Sequence, residues 1–142
     1  MKMFFAFAVL LFLASCATTQ QDPAHKLLGK HGLSLQWIGW EPDELGTMVV
    51  QRDEQKMLTI SGQQKGENGD YLTIEGFVTE VEARAFTFQG TIVTKVSHIA
   101  KGRAVVREGR QRFVIYGERD YWRMENLNNP EDGVVDYIDV HF

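Results

Sequence analysis

The chain has 142 residues, enough for one globular domain. Apolar side chains make up 44% of it and charged side chains 24%, values that indicate a folded protein rather than a disordered one. A single cysteine excludes a disulfide within the chain, and a formal net charge of −4 argues against a nucleic-acid partner.

The first fifteen residues have the pattern of an export signal. Lys2 supplies a positive charge, and an uninterrupted apolar run follows from Met3 to Ala14. As a helix, this run would be about 18 Å long, well short of a hydrocarbon core of about 30 Å. It therefore predicts a cleavable secretory signal rather than a membrane-spanning helix.

The apolar run ends in Leu13-Ala14-Ser15-Cys16. This tetrapeptide resembles the lipobox of bacterial lipoproteins, in which Leu and two small residues precede an invariant cysteine. The resemblance implies cleavage before Cys16, lipid on its sulfur and amine, and anchoring in the cell envelope. Two or three acyl chains hold a protein far more firmly than the single chain that gives marginal binding. Ala17, rather than Asp, follows the cysteine, which by enterobacterial sorting favours the outer membrane, facing the periplasm, over the inner membrane.

This interpretation divides the chain into three parts: a signal peptide over residues 1–15, a flexible tether over residues 16–23, and a single β domain over residues 24–142. At the start of the domain, Asp22 as an N-cap and Pro23 in the first turn predict one or two helical turns over residues 24–30. Such a segment would brace one end of the domain.

From Leu33 onward, apolar residues recur at every second position, which is the period of a β-strand. Gly90 predicts a bend or bulge within a long strand, and Glu108-Gly109 predicts a turn between two short ones. We expect about eight to nine strands, at residues 33–37, 47–52, 56–65, 70–79, 86–96, 104–107, 112–117, 121–125 and 134–142.

No helix is expected between any two of these strands, so neighbouring strands are antiparallel and form a meander. Closing the meander into an up-and-down barrel removes its exposed edges. The fold class predicted is therefore all-β, a small barrel with a short N-terminal helical turn. A β-sandwich is the alternative.

By length and strand count, the domain resembles the calycin group of small barrels, which includes lipocalins and fatty-acid-binding proteins. The Gly-x-Trp motif of true lipocalins is absent, because Trp37-Ile38-Gly39-Trp40 has its parts in another order. The stretches Phe88–His98, Val106–Gly109, Tyr121–Arg123 and Asp136–Val140 resemble a family of small bacterial proteins of unassigned function. That resemblance covers about half of the chain and implies no activity.

The sequence has no pattern that predicts catalysis or a cofactor. A Gly-x-Ser-x-Gly motif is absent, and Cys16 is assigned to lipid. Ser97 and His98 are adjacent, so on a strand their side chains would point to opposite faces and could not act as nucleophile and base. We expect a protein that is not an enzyme.

A metal site is not expected either. Asp139 and His141 share one face of the last strand and would lie in solvent near the chain end, with no third ligand nearby. The other face carries Asp136, and we expect the inward side to be formed by Ile138, Val140 and Phe142.

Positive charge is concentrated late in the chain. Residues 95–123 contain eight basic and three acidic side chains, and Arg110 and Arg112 share one strand face. Arg103, Arg107 and other arginines are expected near turns. This basic flank predicts an anionic partner such as lipid head groups or an acidic ligand. The alternative is that the strands solvate their outer faces and pair charges across strands.

The aromatic side chains either line a cavity inside the barrel or fill it. In the first case, the protein is a non-enzymatic envelope module that binds a small apolar or amphipathic ligand selected by Arg110 and Arg112. The alternatives are a structural lipoprotein that docks on another envelope protein or on cell-wall polymer, and an inhibitor of an envelope hydrolase that uses loop 126–133. The aromatic candidates for ligand contact are Trp37, Trp40, Phe86, Phe88, Phe113 and Trp122.

Overall fold

The structure, a computed structural model, describes Cys16 and residues 21–142. In this part the chain forms a closed barrel of eight antiparallel strands in sequential order, preceded by one short helix. The predicted all-β meander and its closure are confirmed. The predicted signal peptide and half of the predicted tether, residues 17–20, lie outside the described residues. Among the described residues, no helix has the length and apolar character needed to cross a bilayer.

Each strand is hydrogen-bonded to the next one in the chain, and β1 pairs with β8 to close the barrel. Single turns of 3-10 helix occur at Glu67–Gly69 and Ala100–Gly102. The helix and strands are α1 (Ala24–Leu27), β1 (Gly29–Leu35), β2 (Gly46–Arg52), β3 (Leu58–Lys65), β4 (Tyr71–Glu82), β5 (Ala85–Lys95), β6 (Ala104–Val114), β7 (Tyr121–Met124) and β8 (Ile138–His141).

Several boundaries differ from the sequence-based expectation. The helical turns predicted over residues 24–30 end at Leu27, because Gly29 has φ +108, outside the helical range, and β1 begins there, four residues before the strand predicted over 33–37. The turn predicted at Glu108-Gly109 is wrong, because β6 continues through it with Gly109 paired to Gly90 of β5. Gly109 has φ +107, a conformation that only glycine adopts without strain, so it re-aims the strand rather than ending it. The last strand starts at Ile138, and the residues before it belong to a long loop.

The connections between strands fall at two ends of the barrel. The end that we call the helix end carries α1 and the short turns 53–57, 83–84 and 115–120. The opposite end, the loop end, carries the connections 36–45, 66–70, 96–103 and 125–137. The loop end therefore holds most of the chain that is not committed to strands.

The barrel interior is filled by its own side chains. Phe86 and Phe113 stack with ring centroids 4.9 Å apart, and Phe88 meets Phe113 edge-on at 6.5 Å. Trp122 packs edge-on against Phe86 at 5.6 Å. Leu, Ile, Met and Val side chains from the remaining strands complete the core. Of the two alternatives for the aromatic residues, the structure has the filled interior.

Two paired glycines make room for the central ring of this core. Gly76 of β4 lies opposite Gly90 of β5, and a Cβ atom added at either position would lie 2.7–2.8 Å from the ring of Phe88. The same atoms would also meet backbone oxygens of the neighbouring strand at 2.2 Å. The two strands approach closely here. The bulge predicted at Gly90 is not found there, since the pairing of β4 and β5 is continuous through Gly90 and shifts between Val78 and Glu80.

A buried ion pair lies inside the barrel toward the loop end. Nη2 of Arg107 lies 2.5 Å from Oδ2 of Asp136, and the two side chains are 5% and 1% exposed. Asn129 Nδ2 and Trp37 Nε1 donate hydrogen bonds of 3.0 and 2.9 Å to the same carboxylate. The expectation that Arg107 lies near a turn is therefore wrong, because β6 points this side chain into the barrel.

The helix end is closed by α1 and by contacts between β1 and β8. The ring nitrogens of His31 lie 2.7 Å from the carbonyl oxygen of Leu27 and 3.1 Å from that of His141. His141 Nε2 in turn lies 2.8 Å from Oγ of Ser34. Burial lowers the pKa of His141 below its ordinary value, and the neighbouring Asp139 carboxylate opposes that shift.

The last strand is more buried than expected. Asp139, predicted to lie in solvent, is buried and accepts two hydrogen bonds of 2.7 Å from Arg123. These bonds raise the pKa of the Arg123 guanidinium. Conversely, Phe142, expected on the inward face, is exposed, because β8 ends at His141 and the ring lies on the rim of the helix end.

We predict that Gly90→Ala destabilises the barrel by about 1–3 kcal/mol, since the added methyl group would clash with backbone atoms of β4 and with Phe88. The matched control is Gly133→Ala, whose methyl group meets no atom within 4 Å. Urea unfolding followed by tryptophan fluorescence measures both variants. Equal free energies of unfolding for the two would contradict the close approach of β4 and β5.

We also predict that Asp136→Asn lowers the free energy of unfolding by about 3–5 kcal/mol, because it leaves the Arg107 guanidinium buried without a carboxylate. The control is Glu80→Gln, which removes the exposed partner of Arg110 at 3.8 Å and costs at most about 1 kcal/mol. The same unfolding measurement tests the pair. A loss for Asp136→Asn no larger than that of the control would show that the buried pair does not hold the loop end.

Candidate functional site

An open cleft lies among the connections of the loop end. Its volume is about 620 Å³, which falls within the range of about 300–1,000 Å³ usual for small-molecule sites. It is formed by the β1–β2, β3–β4 and β5–β6 connections together with the last residue of β3. The residues that line it are Trp37, Ile38, Asp43, Glu44, Leu45, Lys65, Gly66, Glu67, Asn68, Asp70, Ser97 and His98.

A buried glutamine fixes the β1–β2 connection against the barrel. Gln64 Nε2 donates to the carbonyl oxygens of Gly39 and Glu44, at 2.8 and 3.0 Å. Its Oε1 accepts a 2.8 Å hydrogen bond from the backbone N–H of Leu35. Gly46 allows this close approach, since a Cβ atom there would lie 2.1 Å from a backbone oxygen of β3. One wall of the cleft is therefore held by a single side-chain amide, which donates two hydrogen bonds and accepts a third.

The opposite wall joins the β3–β4 and β5–β6 connections. Oδ1 of Asp70 accepts hydrogen bonds from the backbone N–H of Ser97 at 2.9 Å and from its hydroxyl at 2.6 Å. His98, the next residue, meets the ring of Trp37 edge-on with centroids 5.8 Å apart. The indole thus contacts the β5–β6 connection on one side and opens to the cleft on the other.

The β7–β8 loop does not line the cleft, but hydrogen bonds join it to the β1–β2 connection, which does. The indole N–H of Trp37 donates to the buried Asp136 carboxylate of the β7–β8 loop. Gln36 makes two further bonds to that loop, to the carbonyl of Val135 at 2.7 Å and from the N–H of Tyr137 at 2.8 Å. The β7–β8 loop reaches the β5–β6 connection through Asp132, which accepts from the N–H of Ala100 at 2.7 Å. All four connections are thus tied together.

The cleft has an acidic lining with an apolar side. Four carboxylates line it, against the two basic side chains of Lys65 and His98. Among the described residues, none of the four lies within 4.0 Å of a basic nitrogen. Trp37, Ile38 and Leu45 supply the apolar surface. Such a lining suits a ligand with a cationic or hydroxyl group and a small apolar part.

The structure brings only one of the predicted aromatic residues to this cleft, namely Trp37. Trp40 lies in the same connection and is 54% exposed, but it does not line the cleft. Phe86, Phe88, Phe113 and Trp122 are buried in the core and pack on one another.

Arg110 and Arg112, predicted to select the ligand, lie on the outer wall of the barrel. Arg110 faces Glu80 at 3.8 Å, and Arg112 faces Glu82 at 3.1 Å and Glu125 at 3.4 Å. Hydrogen bonds to these two carboxylates raise the pKa of Arg112. The basic flank is thus largely paired across strands, which was the alternative considered for it.

The structure also shows the positions of the residues that were considered for catalysis or metal binding. Ser97 and His98 lie in a turn rather than on a strand, so the argument from opposite strand faces does not apply to them. Asp139 is engaged by Arg123 rather than available to a ligand. Among the described residues, no group of three His, Cys, Asp or Glu side chains is arranged to hold a metal ion.

Sequence reasoning missed Gln64, Asp70 and Asp136, the side chains that hold the loop end together. Only Asp136 had a usable signal, since period-two spacing puts it on the same face as Ile138, although it lies in the loop before the last strand. The partners of the other two lie in connections distant in sequence, and a polar residue at a strand end carries no sign of them.

Comparison with known proteins places the chain in a family. Residues 15–142 match the model of the PM1083 family. The uncharacterized protein PM1083 of Pasteurella multocida (strain Pm70) is 41% identical over 118 residues, which are 83% of this chain and 74% of the relative. No solved structure matches. The match of the family model over nearly the whole barrel domain, together with this identity, shows that the chain belongs to the PM1083 family.

Proposed function

We propose that this protein is a lipid-anchored, non-enzymatic binding module of the bacterial cell envelope whose ligand site is the loop-end cleft. The observation that carries the proposal is the cleft of about 620 Å³, which is held by hydrogen bonds among all four loop-end connections. A site whose walls are fixed before binding loses less conformational freedom when a ligand enters. The ligand expected is a small amphipathic molecule.

The charge of the lining favours a ligand that carries a protonated amine. Asp43 and Glu67 are exposed carboxylates without a salt bridge or a side-chain hydrogen bond among the described residues, so both are free to accept one from a ligand. The face of Trp37 attracts a cation as well as an apolar group. An anionic ligand is less well supported, because Arg110 and Arg112 already face carboxylates.

The anchor is proposed from the lipobox resemblance and from the placement of Cys16. The thiol is exposed, and the barrel begins well after it in the chain. The family model matches from residue 15, so the apolar run proposed as a signal peptide lies almost entirely outside the match. The proposed location is the outer membrane, with the barrel on the periplasmic side.

A second candidate is an interaction lipoprotein that docks on another envelope protein or on cell-wall polymer. The observation that favours it is Trp40, a largely exposed indole beside the cleft on a barrel with a filled interior. Inhibition of an envelope hydrolase through loop 126–133 is less well supported, because Asn129 in that loop is buried and bonded to Asp136.

The anchor is tested by Cys16→Ala, a change outside the barrel that leaves the fold intact. We expect the unaltered protein to sediment with membranes and to carry the extra mass of its acyl chains, and the variant to stay in the soluble fraction. Membrane fractionation and intact-protein mass spectrometry measure both properties. If the Cys16→Ala protein still sedimented with membranes, the lipid anchor would be excluded.

The cleft is tested with octylammonium as a cationic amphipathic probe and octanoate as its anionic counterpart, with binding followed by tryptophan fluorescence and by NMR. Octylammonium should bind more tightly than octanoate. Asp43→Asn combined with Glu67→Gln should raise its Kd about two- to thirtyfold, since each exposed charge pair contributes about 0.2–1 kcal/mol.

Two matched controls are available in the same connection. Glu41→Gln removes a carboxylate outside the lining, and Trp40→Phe removes an indole outside it, whereas Trp37→Phe changes the lining itself. Only the changes in the lining should weaken binding. Equal binding of octanoate, or equal losses in the controls, would contradict the proposed site.

A further inference from the structure

The helix end of the barrel carries three exposed apolar side chains from three separate segments. Phe142 at the end of β8 is 48% exposed, Met57 in the β2–β3 turn 43%, and Tyr116 in the β6–β7 turn 41%. The order of the strands brings these segments to one end, although they are far apart in sequence. Exposed apolar and aromatic groups gathered on one face indicate a contact surface.

The contacts of these side chains show that the face is held in place. The ring of Phe142 packs edge-on against buried Trp122, with centroids 4.5 Å apart, and Nζ of Lys26 lies 3.7 Å from the Phe142 centroid. Arg84 donates to the carbonyl oxygens of Gly117 and, at 3.3 Å, of Ile115, which fixes the turn that presents Tyr116. An aromatic ring beside an ammonium group is a combination suited to a membrane interface.

The chain enters the domain at this same end. Asp22 is paired with Arg52 at the end of β2, at 3.1 Å, and α1 follows directly with Ala24 and Leu27 buried. The six residue steps from Cys16 to Asp22 span at most about 22 Å when fully extended. The eleven-residue strand β5, tilted as in small barrels, gives a barrel height of about 25–30 Å. A lipid on Cys16 therefore cannot bring the loop end down to a bilayer.

Charge on the helix end identifies the kind of membrane surface that it fits. Its helix and three turns carry four lysine or arginine side chains, Lys26, Lys56, Arg84 and Arg119, and four acidic ones, Asp53, Glu54, Glu118 and Asp120. With no excess of either sign, this face has no electrostatic preference for anionic lipid. Contact would depend on its apolar side chains, and hence would be insensitive to salt.

From these observations we infer that the helix end is a membrane-contact face, seated on the bilayer that holds the lipid of Cys16. Met57, Tyr116 and Phe142 enter the headgroup region, and the loop-end cleft faces away from the membrane. The inference rests on the proposed anchor. It goes beyond that proposal because an anchored barrel could also hang free on its tether or lie on its side.

The experiment uses the full lipidated chain in phosphatidylcholine vesicles, with one nitroxide spin label per variant. Cys16 is blocked by lipid, so an introduced cysteine is the only reactive thiol. Met57→Cys and Tyr116→Cys report on the helix end, Ser61→Cys on the barrel wall, and Asn68→Cys on the loop end. All four positions are exposed, so the labels leave the core intact.

Relaxation by oxygen, which partitions into lipid, is compared with relaxation by a water-soluble nickel chelate. We expect the ratio of oxygen to nickel accessibility to be several-fold higher at positions 57 and 116 than at 61 and 68, and unchanged by added salt. Equal ratios at all four positions would mean a barrel hanging free on its tether and would overturn the inference. A high ratio at position 61 or 68 would mean another orientation and would overturn it as well.

Vesicle flotation and intact mass separate this result from a failure of the anchor. A chain that floats and carries acyl mass, but whose labels at 57 and 116 are exposed to water, overturns the contact face alone. A chain without acyl mass that does not float overturns both the anchor and the contact face.

Discussion

The buried carboxylate of Asp136 is the point where the barrel wall and its loops meet. It neutralises Arg107, which β6 directs into the interior, and it accepts hydrogen bonds from Trp37 and Asn129 of two different loops. A charge at this depth is tolerated only when it is paired and fully hydrogen-bonded. Burial therefore forces the loops to converge on this group, and their convergence fixes Trp37, which lines the cleft.

A filled interior changes where a small barrel can carry a function. The stacked rings of Phe86 and Phe113, with Phe88 seated over Gly76 and Gly90, leave the centre of the barrel to the core. Binding sites can then form at the two ends of the barrel, which differ in shape and in charge. The loop end has a fixed, acidic cleft. The helix end has short turns with exposed apolar side chains, and its acidic and basic side chains balance.

Period-two alternation was enough to predict the meander and its closure, because an inward side chain at every second position is what a filled barrel requires. Prediction from the sequence failed where one local pattern is compatible with two structures. Glu108-Gly109 reads as a turn, yet Gly109 lies within β6 and accommodates its twist. Arg107 follows inward-facing Val105 by two positions, but its polarity was given more weight than the alternation, and it was expected near a turn. Its partner Asp136 is 29 positions away, so no local pattern could reveal the pair.

The cleft was harder to predict than the barrel for the same physical reason. Its walls depend on single side chains that bond to the backbone of distant loops, such as Gln64 to Gly39 and Asp70 to Ser97, and a sequence does not mark such partners. The two-ended arrangement, in contrast, follows from strand order alone. An even number of antiparallel strands returns the last strand to the end where the first began, so the start of β1 and the end of β8 share the helix end. The proposed lipid anchor on Cys16 would therefore join the barrel at the end opposite the long loops.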